Sequence, residues 1–195
     1  MLIRAAARFR SAHNGIVSLH CFSAGPNYDP DRLGIGALVG FDEHVLAPGA
    51  GFADHAHRAV DIVSWVVEGT LCHIGGSGEV LVRSGQVLVQ SCGDGIRHAE
   101  ANPSASEPLR LIQMTLTGGV GAPAVRLETL PVSLGPGRLT LAPRTRHRIE
   151  APFFVHVLSG TATVDDVELG AGDSLAGDRH GAVVADSITL VWALH

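Results

Sequence analysis

Cysteine is scarce in this chain and is not arranged for cross-linking. Cys21, Cys72 and Cys92 are odd in number and show no C-x-x-C spacing, which argues against a disulfide framework and fits a reducing compartment; the cytoplasm is the expected location. A basic excess is missing as well. With a net charge of −5 and a sequence pI near 6.1, the chain offers no basic face, so neither nucleic acid nor an anionic membrane is expected as a direct partner. No run approaches the ~20 apolar residues of a membrane span, and the opening Met1–Arg10 stretch has arginines but no continuous apolar region of a secretory signal. No segment keeps a 3.6-residue apolar period with caps at both ends, so little helix is expected. Neither Ser64 nor Ser91 lies in a Gly-x-Ser-x-Gly elbow, which removes the usual serine hydrolase signature. Gly75-Gly-Ser-Gly78 lacks the Lys-Ser/Thr of a phosphate loop and reads as a hairpin turn.

What is present points to an all-β protein. The 195 residues are 46% apolar and 17% charged, and the 24 glycines and 10 prolines are spread along the chain. Short apolar runs recur between turn residues: Gly36–Val39, Ile62–Val67, Val80–Val82, Val87–Gln90, Leu109–Leu116, Phe153–Leu158, Thr161–Val164 and Ile188–Ala193. Thr117-Gly-Gly-Val-Gly-Ala-Pro123 breaks the pattern and reads as a linker. The segments on either side echo one another. Val66-Val-Glu-Gly69-Thr-Leu and Ser84-Gly85-Gln-Val in the first half match Val157-Leu-Ser-Gly160-Thr-Ala and Ala171-Gly172-Asp-Ser in the second. The expectation is two double-stranded β-helix (jelly-roll) barrels, residues 1–117 and 118–195.

Chemistry concentrates in two stretches of the first half. His55 and His57 are two residues apart, as are His98 and Glu100, and on a strand such pairs leave by the same face. Three imidazoles and a carboxylate facing one space make a metal site. Imidazole suits iron, copper, nickel, manganese or zinc, whereas calcium and magnesium prefer oxygen alone. On an unbroken strand Asp61 would share the face of His55 and His57, and Val63, Trp65 and Val67 would continue it as an apolar floor.

Gly49-x5-His55-x-His57-x3-Asp61-x7-Gly69 resembles the first cupin motif, and Gly85-x5-Ser-Cys-Gly93-Asp-Gly-Ile-Arg-His98-Ala-Glu100 is similar to the second in the form used by pirins. Asn27-Tyr-Asp-Pro30 and Asn102-Pro-Ser104 extend the likeness to the bacterial pirin-like quercetin 2,3-dioxygenases. The resemblance implies a bicupin with one mononuclear metal, usually iron, held by His55, His57, His98 and Glu100. It implies cleavage of a small flavonol-like substrate by dioxygen with release of carbon monoxide, Glu100 also taking the substrate proton. A pirin could instead be a metal-dependent regulatory protein with a protein partner, or a cupin enzyme acting on another small molecule. Asp61 stands where the family has Glu and is assigned beside a ligand imidazole, not on the metal; Gln86, also in place of an acidic residue, is assigned to a turn. His147, His156 and His180 match neither motif, so the second barrel is expected to be metal-free. Cys92 reads as a packing residue and Arg97 as facing away from the metal.

Overall fold

The computed structural model describes residues 1–76 and 78–195. Apart from a 3-10 turn at Ala5–Ala7, the regular elements are strands, and no helix is long and apolar enough to cross a membrane. The described residues form four sheets. In the first barrel the large sheet runs, in spatial order, Ala124–Thr129, Gln86–Ser91, Val60–Glu68, Leu109–Thr117, Leu38–Leu46, Ile16–His20 and Phe9–His13. The small sheet facing it runs Gly51–His57, Ile96–Ala101, Thr70–Gly75 and Gly78–Arg83. In the second barrel the large sheet runs Leu2–Ile3, Ser174–Gly177, Phe153–Val157, Thr189–Leu194, Gly137–Leu141 and Val132–Leu134. Its small sheet runs His147–Ile149, Gly181–Ala185, Thr161–Val164 and Val167–Gly170. The turn read at Gly75–Gly78 includes Ser77, which lies outside the described residues; the flanking strands pair with Gly75 opposite Gly78.

The internal echo is structural. Gly69 and Gly160 join equivalent strands in the two barrels at φ of 82° and 66°, a region that glycine enters without steric cost. At Gly69 a Cβ would stand 2.6 Å from the Pro108 carbonyl oxygen, so the close approach requires glycine as well.

Alternation along the strands sorts the apolar side chains into three cores. Ile16, Leu46, Val66, Leu71, Val82, Leu88, Leu109 and Leu111 fill the first barrel, and Phe153, Val155, Val157, Val164, Leu169 and Val183 belong to the core of the second. The third core is drawn from both large sheets, with Phe41, Val63, Trp65, Met114, Phe154 and Trp192 among its members, and forms the seam between the barrels. The Trp192 indole N–H donates to Met114 Sδ across it at 3.0 Å.

The chain crosses the seam at both ends of the first half. Leu2–Ile3 pairs with Ser174–Leu175 of the second barrel, whereas Ala124–Thr129, beyond the glycine-rich break, stays in the first barrel by pairing with Gln86–Ser91. The 117/118 division therefore leaves one strand of each half in the sheet of the other.

The unbroken strand expected from His55 to Val67 is interrupted at Arg58–Ala59, where Ala59 adopts φ 57°. His55 and His57 lie in the small sheet, while Asp61 begins a strand of the large sheet. Face assignments do not carry across the break: Val63 and Trp65 point into the seam, with Val67 packed against that core, and Ser64 and Val66 face the first barrel's interior. The expected apolar floor belongs to the inter-barrel core.

Candidate metal centre

Pairing of Gly51–His57 with Ile96–Ala101 sets the site. His98 lies opposite His55 and Ile96 opposite His57, and the register shifts between His98 and Glu100, which stands opposite Phe52. Ala53 and Asp54 thus face Ala99 alone, a bulge of the kind that re-aims side chains. The ring centroids of His55, His57 and His98 are 4.5–5.0 Å apart. One ligand nitrogen from each falls within 4.8 Å of the others, the one such cluster of His, Cys, Asp or Glu among the described residues. His55 Nε2 and His98 Nε2 face each other at 3.1 Å.

In His55 and His98 the remaining ring nitrogen has a partner that orients the ring. His55 Nδ1–H donates to the Ala53 carbonyl at 2.8 Å, which leaves the lone pair on Nε2. His98 Nδ1 lies 3.0 Å from His73 Nε2. Burial, reinforced by the imidazoles of His55, His73 and His57, pushes the His98 pKa down to about 3, and burial followed by His55 lowers that of His57. Both rings are therefore neutral near pH 7, the form that ligates. Three converging imidazoles fit a first-row transition metal.

Glu100 is buried beside this cluster but outside the three-nitrogen group. Its Oε2 accepts from Gln113 Nε2 at 2.9 Å and its Oε1 from Gln90 Nε2 at 3.4 Å, while Gln113 Nε2 also reaches Ser64 Oγ at 3.1 Å. Burial raises the Glu100 pKa, against hydrogen bonds from Gln113 and Gln90 and the nearby His55 imidazole, which lower it. A cavity of about 430 Å³ opens beside His55, walled by Phe52 and Ile16 and by the hydroxyl-bearing Ser11 and Ser18.

Asp61, expected beside a ligand imidazole, stands opposite Leu116 and in alternation with Val63, both in the seam. It makes no hydrogen bond to His55, His57 or His98, and its Oδ1 is buried without a partner among the described residues. The strand break at Arg58–Ala59 is the cause. His73, not Asp61, meets the distal nitrogen of His98. His73, Gln90, Gln113 and Ser64 escape a reading of the sequence because they lie on four other strands, and only register brings them together. Gln86 Oε1 accepts from the Arg83 backbone N–H at 2.7 Å in a turn. Arg97 pairs with Asp54 at the surface. Cys92 is buried, and burial pushes its thiol up to about 11. In the second barrel His156 bonds Ser174 Oγ in the seam, while His147 and His180 are exposed; none joins a ligand cluster.

The Pirin family profile matches residues 3–116. A quercetin 2,3-dioxygenase of Escherichia coli (strain K12) is 30% identical over 203 residues, covering 90% of this chain and 88% of its own length. A pirin-like protein of Caulobacter vibrioides is 37% identical over 93 residues, 46% of this chain and 39% of its own. The solved structure of the bacterial pirin YhhW from Escherichia coli in complex with nickel(II) superposes with a TM-score of 0.90 at 27% identity, over 100% of this chain and 98% of that one. Nickel in that structure and the converging imidazoles here both support metal binding. By sequence and by fold, this chain belongs to the Pirin family.

Proposed function

We propose that the chain is a metal-dependent dioxygenase that opens a flavonol-like ring and releases carbon monoxide. The observation that carries the reading is a three-imidazole cluster with a buried carboxyl beside it and a cavity at its edge. The Escherichia coli relative named quercetin 2,3-dioxygenase supplies the substrate class. In this reading His55, His57 and His98 hold the metal through ring nitrogens and Glu100 completes the set. The metal supplies Lewis acidity for a phenolate oxygen and a route for electrons to dioxygen. Iron is the metal the family resemblance implies; nickel is the ion in the Escherichia coli structure. Glu100 takes the proton of the substrate hydroxyl, a role that its position beside the imidazole cluster suits. Phe52 and Ile16 offer apolar surface to a planar ring, and Ser11 offers a hydroxyl to its polar edge.

The test is oxygen uptake by metal-loaded protein with quercetin, with carbon monoxide measured in the same vessel. Equal molar consumption of oxygen and release of carbon monoxide supports the reading. Full metal content with no uptake across several flavonols rejects it.

A further inference from the structure

We propose that His73 and Gln90 couple the two ligands of the second motif, so that Glu100 is released from Gln90 when His98 binds a metal through Nε2. This deepens the ligand reading above and rests on His98 being a ligand, not on the reaction catalysed. His73, Gln90, His98 and Glu100 are all at most 1% exposed, so their hydrogen bonds are made away from bulk solvent. The contacts form one line: His55 Nε2 to His98 Nε2 at 3.1 Å, His98 Nδ1 to His73 Nε2 at 3.0 Å, His73 Nε2 to Gln90 Oε1 at 2.9 Å, and Gln90 Nε2 to Glu100 Oε1 at 3.4 Å.

A neutral imidazole carries one N–H, and the line admits two arrangements of these protons. In the first, His55 Nδ1–H is committed to the Ala53 carbonyl, so His55 Nε2 accepts from His98 Nε2–H. His98 Nδ1 then accepts from His73 Nε2–H, which Gln90 Oε1 shares, and the Gln90 amide N–H remains on Glu100. Every contact has a donor and an acceptor.

In the second arrangement the His98 Nε2 lone pair belongs to a metal. The single proton of His98 then sits on Nδ1, His73 Nε2 must accept it, and the proton of His73 sits on its own Nδ1. His73 Nδ1 is buried without a partner among the described residues, so the N–H moved there is unpaired, and the bond from His98 Nε2 to the metal has to offset that cost. Gln90 Oε1 would now face a lone pair. Turning the amide puts its NH2 toward His73 and withdraws the donor from Glu100, which keeps only Gln113. No proton is gained or lost; in each ring the N–H moves from Nε2 to Nδ1. His73 is thus a positioning residue that carries the state of one ligand to the other.

Zinc(II), which is diamagnetic, serves as the probe on the full chain labelled with 15N-histidine, read by long-range 1H–15N correlation. The expected result is that both His98 and His73 carry the proton on Nε2 without zinc and on Nδ1 with it. A His98 switch without a His73 switch overturns the coupling alone, and no switch at His98 overturns the ligand assignment and the coupling together. Zinc affinity gives an independent readout: His73→Phe should weaken binding about 10–100-fold, as loss of an outer partner of a ligand histidine does. His73→Gln, which retains an acceptor, should recover most of it. Wild-type affinity in His73→Phe overturns the proposal.

Discussion

Arg8 Nη1 meets Glu43 Oε2 at 2.7 Å in the seam, with side-chain exposures of 7% and 8%. Arg110 approaches the other oxygen of Glu43 at 2.6 Å. Glu43 alternates with Phe41 along its strand, and so the ion cluster sits on the seam face and ties the N-terminal segment and two strands of the first barrel beside the second. Removing one member of such a group leaves buried charge uncompensated.

Glu43→Ala should therefore destabilise the fold by about 3–5 kcal/mol, measured by urea unfolding at pH 7. The effect has a pH signature. Burial raises the Glu43 pKa, but hydrogen bonds and charge from Arg8 and Arg110 outweigh it, and the net value lies below 4.5. The stabilisation is then complete above the unfolded value of 4.5 and is lost as pH falls through the lower folded value. Wild type and Glu43→Ala should converge in stability toward acid pH, and a gap that stays constant would contradict this account.

Metal should bind at one equivalent per chain, because the one ligand cluster among the described residues is in the first barrel. His55→Ala and His98→Ala should each abolish stoichiometric binding in an elemental analysis after dialysis. His180→Ala, a surface change that removes contacts with Glu150 and with the Ala151 backbone N–H, should leave binding intact. Full occupancy in the His55→Ala/His98→Ala double variant would place the metal elsewhere.

Asp61 discriminates between what the motif implies and what the fold builds. On an unbroken strand Asp61→Asn would disturb a ligand imidazole; on the observed strand it faces the seam, and the distal nitrogen of His98 belongs to His73. Asp61→Asn should leave metal affinity unchanged while altering thermal stability, because the side chain is 6% exposed with an unpaired Oδ1. A loss of affinity without a shift in Tm would return Asp61 to the metal side.

The barrels were legible in the sequence because repeated glycine turns and short apolar runs are local signals. Gly69 and Gly160 mark the same turn in each half. His55, His57 and His98 were legible because spacing of two on a strand determines a shared face. Alternation failed at Arg58–Ala59, where a positive φ at alanine interrupts the strand without a glycine or proline to announce it. Trp65 consequently reads in the sequence as part of an apolar floor beneath the metal and is a seam residue in the fold. Cross-strand partners carry no local signal either: His73 meets His98 and Gln113 meets Glu100 through register alone.

Glu100 is the base of the proposed reaction. A carboxyl works as a base only when ionised, so turnover should fall as pH drops through the titration of Glu100; burial raises that carboxyl in the metal-free protein, and a bound cation would lower it. Gln113 Nε2 donates to the carboxylate at 2.9 Å and so favours the ionised form. Gln113→Leu should shift the acid limb of the rate profile to higher pH. Glu100→Gln keeps the size of the side chain but cannot take the proton, and kcat should fall by roughly 10²–10⁴-fold with a smaller change in KM. Metal content must be measured in each variant, since Glu100 is also proposed to complete the ligand set. If Glu100→Gln retains both metal and wild-type kcat, proton transfer in turnover belongs to another group, and the His20–Asp42 pair linked to Ser11 at the cavity wall is the next to examine.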